Sequence, residues 1–353
     1  MSSGQIELAS PPSDAISAVK FAPGSSTKLL VSSWDKSVYL YDILAQEGGL
    51  LIQSFEHRAP VLDVCFGADD KEAFTGGLDW DVRKLDLESG EQTILSSHDA
   101  GVSSIVYSRE TTTLISASWD GTLHVHTPNA PANTPSTIKL PSKPFSMSLT
   151  PTRLVVAMAS RALHIYDLHA LSLVSSQSSQ PPPNLLEVEP WQRRESSLKF
   201  MTRAVACMPN DDGYASSSIE GRVAVEWFDS SAASQARKYA FKCHRQPSTA
   251  DDGVDVVYPV NALAFHPVHG SFASGGGDGI VALWDGVAKR RIRQYQRYPT
   301  SIAALAFSPD GKHLAIASCP GFEDGKEEVD AQGNSKLFIR TLGETEAKGK
   351  GSK

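Results

Sequence analysis

Short runs of alternating or continuous apolar residues recur along the whole chain, each of a length that suits one β-strand. Seven of these runs each precede a similar stretch of small and turn-forming residues. They lie at 16–21, 61–66, 102–107, 145–149, 205–208, 260–265 and 302–307. A period of two sends successive side chains to opposite faces of a strand, and a wholly apolar run fits a strand buried on both faces. Several runs end in turn signals such as Ala22-Pro23-Gly24. The pattern therefore predicts a chain built from short strands.

A second feature follows each run: small residues, a turn ending in Asp or a substitute, and a further apolar stretch that often ends in an aromatic residue and Asp. The turns lie near residues 35, 79, 120, 160, 220 and 278, with a degenerate seventh near 318. Four short strands per ~40–45 residues with a Trp-Asp ending are typical of a β-propeller blade. Seven units predict an all-β, seven-bladed WD-repeat β-propeller in a single domain, although 353 residues alone would suggest two domains.

The predicted propeller covers residues 1–342, and its closure has a mechanism. The segment 5–9 precedes the first inner strand, so we expect it to supply the outer strand of blade seven and to remove an open sheet edge. A Ser/Pro-rich inserted loop is predicted at 172–192, acidic loops at 248–255 and 323–332, and a flexible tail at 343–353.

Composition narrows the functional classes. The net charge of −7 does not favour nucleic acid as a partner. No apolar run approaches ~18 residues, which argues against a membrane span, and the N-terminal residues lack the pattern of a signal peptide. The four cysteines are widely spaced, so we expect reduced, partly buried thiols rather than disulfides or a zinc site.

No enzyme site, metal site or cofactor motif is predicted. The glycine-rich stretch at 275–279 leads into a strand, whereas a phosphate loop leads into a helix. His57 and Asp79 are 22 residues apart, as are His98 and Asp120. The repeated spacing predicts a hydrogen bond from each histidine to each aspartate that pins a loop to a turn.

Two turns carry an exposed aromatic residue. Trp34 and Trp119 occupy the position before the turn Asp, where the other blades have small or aliphatic residues. Since turns between strands face solvent, we expect both indoles on one rim of the propeller, where they would suit anchors for a partner. The alternative is that each packs on the neighbouring blade. Trp284, at a Trp-Asp position, is predicted to lie in the core.

Cations cluster in one third of this acidic chain. Arg203, Arg222 and Lys242 fall near the fifth unit, and they form either a binding surface or a solvated face. The basic run at 289–293 is predicted to be a solvated connector between blades.

Five stretches carry a resemblance to a known family. The residues at 32–35, 193–199, 218–226, 240–245 and 297–303 closely resemble the family of the third Bub (budding-uninhibited-by-benzimidazoles) protein, WD-repeat proteins of the mitotic spindle checkpoint. The resemblance covers nearly the whole chain. The sequence departs from the family pattern in the Ser/Pro-rich insertion, in the acidic loop near 323–332 and in blade four, which lacks a turn Asp.

The resemblance implies a non-enzymatic adaptor in the nucleus, and at kinetochores in mitosis. Implied partners are the GLEBS segment of a checkpoint kinase and its pseudokinase relative, and phosphorylated Met-Glu-Leu-Thr repeats of a kinetochore scaffold. Trp34, Trp119 and Arg203 match the family's GLEBS-contacting positions, and Arg222 and Lys242 match its phosphothreonine-reading positions. The family also implies no cofactor, and we expect a monomer apart from these partners.

Two other readings stay open. One is the messenger-RNA-export relative, which binds a GLEBS segment of a nuclear-pore protein and which the stretch 266–270 would also suit. The second is an RNA-binding propeller, which would need a continuous basic, aromatic-lined face and a steep salt dependence of affinity. The acidic net charge argues against RNA.

Overall fold

The structure is a computed structural model that describes residues 4–128, 134–176, 188–247, 254–321 and 335–349. The centre of the predicted Ser/Pro-rich insertion, most of the loop expected at 248–255 and the acidic loop at 323–332 lie outside the described residues.

Strand β1 (Gln5–Glu7) comes first, and the next four blades follow in chain order. Blade one contains β2 (Ile16–Phe21), β3 (Lys28–Ser33), β4 (Ser37–Asp42) and β5 (Leu50–Glu56). Blade two contains β6 (Val61–Phe66), β7 (Glu72–Gly77), β8 (Asp81–Asp86) and β9 (Gln92–Ser97). Blade three contains β10 (Val102–Ser108), β11 (Thr113–Ser118), β12 (Thr122–His126) and β13 (Ser136–Lys139). Blade four contains β14 (Pro144–Leu149), β15 (Arg153–Met158), β16 (Ala162–Asp167) and β17 (Gln192–Glu195), with helix α1 (Leu168–Ser176) before its last strand.

The remaining blades complete the ring. Blade five contains β18 (Thr202–Cys207), β19 (Gly213–Ser218), β20 (Arg222–Trp227) and β21 (Tyr239–Lys242), with a short helix α2 (Ala232–Gln235). A hairpin of β22 (Arg245–Pro247) and β23 (Asp255–Val257) follows. Blade six contains β24 (Val260–Phe265), β25 (Phe272–Gly276), β26 (Val281–Asp285) and β27 (Arg290–Gln294). Blade seven contains β28 (Ile302–Phe307), β29 (His313–Ser318) and β30 (Lys336–Thr341).

Seven four-stranded antiparallel sheets result, so the predicted seven-bladed, all-β propeller in a single domain is confirmed. Six of them take their strands in sequence order, and the seventh has the order β1-β30-β29-β28. The N-terminal strand therefore closes blade seven as the sequence predicts. Ile6 lies opposite Ile339, and the Leu8 amide donates to the Leu337 carbonyl at 2.8 Å.

Each pair of neighbouring blades shares one apolar cluster. Within the described ranges there are seven such clusters, and each draws its residues from two adjacent sheets. The cluster between blades seven and one, for example, joins Ala315 and Leu337 to Val31 and Tyr41. The apolar runs of the sequence are thus buried between sheets, which explains why inner strands are apolar on both faces.

Three segments differ from the sequence expectations. The region expected to be a loop from residue 172 begins inside helix α1, whose Leu171 is buried against blades three and four. The basic run expected to connect blades is strand β27, the outer strand of blade six, because its residues pair with β26. Residues 343–349, expected to belong to a flexible tail, return to blade six instead. Ala347 is buried there, and the Glu346 carboxylate accepts a hydrogen bond from the Tyr295 hydroxyl at 2.8 Å.

Candidate peptide-binding face

One end of the propeller is formed by the turns between the second and third strands of the blades. At the same position of each turn a backbone amide donates to the segment before that blade's inner strand, and the residues are Trp34, Leu78, Trp119, Ala159, Ile219, Gly277 and, where blade seven turns, Cys319. The repeated bond shows that these residues are structurally equivalent. Trp34 and Trp119 therefore lie on one face of the molecule, in blades one and three.

The turn that carries Trp34 is held from several sides by Asp35. Its carboxylate accepts hydrogen bonds from the Ser13 amide at 2.9 Å, from the Ser37 amide at 3.1 Å and from the Tyr39 hydroxyl at 2.8 Å. Burial, together with Asp35, raises the pKa of Tyr39 to about 12. The indole of Trp34 itself is 41% exposed. A rigid turn thus presents an exposed aromatic ring.

Trp119 is only partly exposed, because its ring lies against Gly101 in the segment that joins blades two and three. A Cβ added at Gly101 would lie 2.9 Å from the indole and 3.1 Å from Leu78 Cδ2. The ring also borders an open cavity of about 390 Å³, whose rim includes the exposed Lys139 and Lys143. The Trp119 ring thus lies against the segment between blades two and three and at the same time lines an open cavity.

Sequence reasoning missed a third aromatic residue on this face. Trp80 follows the turn Asp of blade two, has a left-handed backbone conformation with φ of 72° and is 50% exposed. It lies in the blade between those of Trp34 and Trp119. Its sequence signal is an aromatic residue one position after the turn Asp, whereas Trp34 and Trp119 stand one position before theirs.

Arg203 lies where the inner strand of blade five has its register irregularity, between Thr202 and Ala204. The other inner strands have the same irregularity, so these residues ring the mouth of the central channel at the end that carries the turns. The guanidinium of Arg203 is exposed, and its Nε donates to Asn261 Oδ1 of the next blade at 3.1 Å. Nothing in the local sequence indicates that placement.

Arg222 and Lys242 are brought together by strand pairing. Arg222 begins β20 and lies directly opposite Lys242 at the end of β21. Cβ atoms of opposite residues in antiparallel strands are about 4.5–5.5 Å apart, so both side chains leave the same face. Lys242 is exposed, and Arg222 Nε lies 3.6 Å from Glu220 Oε2. The pair of cations is therefore adjacent and accessible, with one carboxylate beside it.

Histidines pin some of the turns. His98 Nδ1 donates to Asp120 Oδ2 at 3.1 Å, which confirms one predicted pair. The second prediction is wrong: His57 donates to the Phe55 carbonyl and accepts from Thr75, while Arg83 Nη2 donates to Asp79 at 2.8 Å. Arg83, four residues after Asp79, takes the place as hydrogen-bond donor to this carboxylate that we had predicted for His57.

An equivalent pair that spacing could not reveal exists in blade six. His244 donates to Asp278 at 2.8 Å and accepts from the Ser274 hydroxyl at 2.8 Å, and the Trp284 indole donates to that same oxygen at 2.8 Å. The separation here is 34 residues, because the β22–β23 hairpin intervenes. Trp284, predicted to lie in the core, is instead half-buried at the border of the cluster between blades five and six, where its ring centroid lies 4.5 Å from that of Phe241.

Three histidines of blade three form a buried stack behind the Trp119 turn. The rings of His98 and His124 are 3.5 Å apart, and the Ser96 hydroxyl lies 3.0 Å from His124 Nδ1 and 3.1 Å from His126 Nε2. Burial, followed by the nearby His98, lowers the pKa of both His124 and His126 to about 3. Both rings are therefore neutral at physiological pH.

The described residues show no constellation suited to metal chemistry. Among them, no three His, Cys, Asp or Glu side chains are grouped so as to hold a metal ion. The four cysteines are buried and none of them forms a disulfide, and burial raises the pKa of the Cys207 and Cys243 thiols to about 12. No helix in the described part of the chain has the length and apolar character needed to cross a membrane.

Comparison with known proteins agrees with this architecture. The family model "WD domain, G-beta repeat" matches residues 6–42, 90–127 and 257–285, so the class of protein is a WD-repeat β-propeller. "Mitotic checkpoint protein BUB3.1" of Arabidopsis thaliana is 46% identical over 348 residues, which cover 98% of this chain and 94% of the relative. "Mitotic checkpoint protein bub3" of Dictyostelium discoideum is 39% identical over 338 residues, or 95% of this chain and 94% of the relative. The chain belongs to the Bub3 family of mitotic checkpoint WD-repeat proteins.

A relative with lower sequence identity is named for a different role, the export of messenger RNA. "mRNA export factor GLE2" of Chaetomium thermophilum is 31% identical over 342 residues, which cover 96% of this chain and 90% of the relative. The lower identity over a similar span favours the checkpoint family.

Proposed function

We propose that this protein is a non-enzymatic adaptor that acts in the nucleus and, in mitosis, at kinetochores. It binds the GLEBS segment of the checkpoint kinase and of its pseudokinase relative, and it reads phosphorylated Met-Glu-Leu-Thr repeats of the kinetochore scaffold. The observation that supports this most directly is that Trp34, Trp119 and Arg203 lie on one face of a rigid ring.

The GLEBS segment lies across that face. It contacts blade one, blade three and the mouth of the central channel. Exposed aromatic side chains bury a large area at small cost in conformational entropy, which suits them as anchors. The exposed guanidinium of Arg203 pairs with carboxylates of the segment, because its planar fork matches their two oxygens. Its bond to Asn261 holds it at the channel mouth before the partner arrives.

The phosphothreonine is read by Arg222 and Lys242. A phosphate carries roughly −1.5 to −2 charges at neutral pH and three acceptor oxygens. Two adjacent cations on one face of blade five can each donate to it. Glu220, close to Arg222, repels the phosphate and lowers the affinity, so the interaction is weak and reversible.

Purification of the full chain from mitotic cells tests this function against its two alternatives. We expect recovery of checkpoint kinase with the bait. A nuclear-pore protein in its place would favour the export role, and RNA that survives salt washing would favour an RNA-binding propeller. Loss of the kinase with Trp34→Ala, Trp119→Ala, while Trp191→Ala retains it, would assign the contact to this face. Trp191 is 46% exposed and lies near the opposite end of blade four, beside Arg153.

A further inference from the structure

The segment that joins blades four and five makes contacts that the proposed function does not use. It covers residues 196–201, between the outer strand β17 and the inner strand β18. Its end lies on the candidate peptide-binding face, because the Ile219 amide donates to the Met201 carbonyl at 3.2 Å. Phe200 and Met201 are exposed there, and Arg203 lies just after them. The position of this segment therefore shapes the surface that a partner would cover.

Segment 196–201 is held in place at its first three residues. The Ser196 amide donates to the Arg161 carbonyl at 2.8 Å, and Arg161 Nη1 donates to the Leu198 carbonyl at 3.2 Å. Leu198 is 1% exposed. Between Ser196 and Leu198, the Ser197 hydroxyl donates to the Glu226 carboxylate of blade five. Ser197 thus ties the segment to the next blade.

The acceptor of that hydrogen bond is a buried carboxylate. Glu226 is 3% exposed and lies on β20 opposite Tyr214. One of its oxygens accepts from the Tyr214 hydroxyl and the other from the Ser197 hydroxyl. A buried carboxylate depends on such donors, because burial removes the water that would otherwise solvate its charge. Ser197 is itself exposed, so a residue that an enzyme can reach supplies one of these two donors.

The residues before Ser197 form a pattern that suits an arginine-directed protein kinase. Arg193 and Arg194 stand four and three residues before it, in the stretch 193–199. Kinases select substrates partly by the charges beside the target hydroxyl, and arginine forks pair well with carboxylates. Arg193 is exposed, and its surface ion pair with Glu189 contributes little. Both arginines lie on β17, which pairs with β16 alone, so one strand pairing and the Arg194 hydrogen bonds must open for this stretch to extend.

We propose that Ser197 is a phosphorylation site for an arginine-directed serine/threonine kinase, and that phosphorylation releases segment 196–201 and weakens partner binding. The Ser197 hydroxyl oxygen forms a bond to the γ-phosphorus of ATP, and the bond from that phosphorus to the β,γ-bridging oxygen breaks. ADP leaves, and the hydroxyl proton passes to the aspartate of the kinase catalytic loop. The effect on the partner rests on the proposed function, whereas the modification and the release of the segment do not.

Phosphorylation turns a donor into an anion beside another anion. A phosphate carries roughly −1.5 to −2 charges at neutral pH, and it would face the Glu226 carboxylate, which can only accept hydrogen bonds. Two nearby guanidinium groups are already engaged. Arg161 pairs with Glu195, and Arg194 donates to the Trp227 and Phe228 carbonyls at 2.8 and 2.9 Å. The added charge therefore separates segment 196–201 from blade five.

Treatment of the full chain with calcium/calmodulin-dependent protein kinase and ATP tests the modification, because this kinase selects arginine before the target serine. Peptide mass spectrometry should locate the phosphate on Ser197. A casein kinase, which selects acidic neighbours, is the matched control and should leave Ser197 unmodified. Phosphate on Ser196 in place of Ser197, no phosphate on either residue, or equal modification by both kinases would overturn the site.

Amide hydrogen exchange tests the release of the segment without any partner. Phosphoserine is incorporated in place of Ser197 during translation, and in a control chain in place of Ser230, an exposed residue after β20 in the same blade. The Ile219 amide should exchange at least roughly tenfold faster when Ser197 is modified, since it loses the Met201 carbonyl as its acceptor. The chain modified at Ser230 should match the unmodified chain. Equal exchange in all three chains would contradict the release.

Calorimetric titration of the same three chains with a GLEBS peptide tests the effect on the partner. Modification at Ser197 should weaken binding at least roughly tenfold, whereas modification at Ser230 should leave it unchanged. Equal affinity of all three chains would contradict the regulatory role of Ser197. Failure of the unmodified chain to bind the peptide would instead contradict the proposed function, and hydrogen exchange would still decide whether the segment is released.

Discussion

At the scale of residues, the candidate face depends on a few exposed side chains. These side chains lie on turns that hydrogen bonds already hold in place. Trp34 lies on a turn that Asp35 ties to Ser13, Ser37 and Tyr39. Because the turn is already ordered, little conformational entropy is lost when a partner covers the ring. Trp119 differs, since its ring also packs over Gly101. The two residues should therefore contribute similarly to binding but differently to stability.

Trp34→Ala and Trp119→Ala should each weaken binding of a GLEBS peptide by about 2 kcal/mol, as aromatic anchors at interface centres do. The melting temperature should stay almost unchanged for Trp34→Ala, whose ring is 41% exposed, and fall slightly for Trp119→Ala. Calorimetric titration measures the affinity, with Trp191→Ala as the matched control. Unchanged affinity in both variants would mean that the two indoles do not contact the peptide and only pack on the protein surface.

The cation pair leads to a phosphate-dependent prediction. Arg222→Ala combined with Lys242→Ala should abolish binding of a phosphorylated Met-Glu-Leu-Thr peptide, because each charge-assisted hydrogen bond contributes ~1.5–3 kcal/mol. GLEBS binding should persist, and added salt should weaken phosphopeptide binding by the wild-type chain, since the site is exposed. Fluorescence anisotropy with phosphorylated and unmodified peptides measures this.

The control for that pair is Lys139→Ala combined with Lys143→Ala, which removes two exposed positive charges beside Trp119. Phosphopeptide affinity should be retained in it. Equal affinity of the wild-type chain for the two peptides would mean that Arg222 and Lys242 are ordinary solvated cations.

At the scale of elements, the blades stabilise equivalent turns with different side chains. The turn after the second strand needs a partner for its Asp, and blade three uses His98, blade six uses His244 and blade two uses Arg83. In blade three the solution places three imidazoles in contact, with Ser96 between two of them. Burial lowers the pKa of His124 and His126, so protonation of these two rings is opposed in the folded chain, and the stability of the blade depends on pH.

The histidine stack should make the protein less stable as the pH falls. The folded-state pKa of His124 and His126 is about 3, below the value of 6.5 for a free histidine. The unfolded chain therefore binds protons that the folded chain cannot, and stability present above pH ~6.5 is lost progressively as the pH falls towards 3. Since one pKa unit corresponds to about 1.4 kcal/mol, the two histidines together should lower the free energy of unfolding by several kcal/mol at acidic pH.

Melting temperatures from pH 7 to pH 4 measure this loss. His124→Phe combined with His126→Leu should flatten the pH dependence, whereas His169→Gln, at an exposed position on helix α1, should leave it unchanged. An unaltered slope in the double variant would contradict the role of the stack.

At the scale of the whole molecule, the ring is held by seven apolar interfaces and one closure. The closure joins the two ends of the chain: β1 pairs with β30, Leu8 is buried between blades seven and one, and Lys336 forms an ion pair with Glu7 at 3.0 Å. Loss of β1 would leave β30 as an open sheet edge and would uncover the cluster around Leu8. The candidate peptide-binding face, which spans blades one to five, depends on that ring remaining closed.

Deletion of residues 1–10 should lower the melting temperature or cause aggregation. Burial of Leu8 alone contributes about 1.5–3 kcal/mol, and the β1–β30 hydrogen bonds are lost with it. Deletion of residues 1–3 is the control, because it leaves β1 intact. Equal melting temperatures for the intact chain and the longer deletion would disprove closure by this strand.

Much of the architecture was predictable because it is encoded locally. The inner strands at 16–21, 61–66, 260–265 and 302–307 match β2, β6, β24 and β28 residue for residue. The turn positions follow from small residues and Asp, whose conformational preferences act within a few residues. By contrast, the packing of residues 343–349 on blade six needed Tyr295 and Arg340, which no local pattern connects to Glu346.

The sequence by itself determined the strand period, the number and order of blades, and the two turns that carry Trp34 and Trp119, because each of these depends on neighbours along the chain. Only the tertiary structure decided that Arg203 reaches Asn261 at the channel mouth and that Arg222 lies opposite Lys242. It alone placed the Ser197 hydroxyl against the buried Glu226 carboxylate. These contacts depend on sheet register and on the packing of one blade against the next, which join residues far apart in sequence and leave no periodic trace in it.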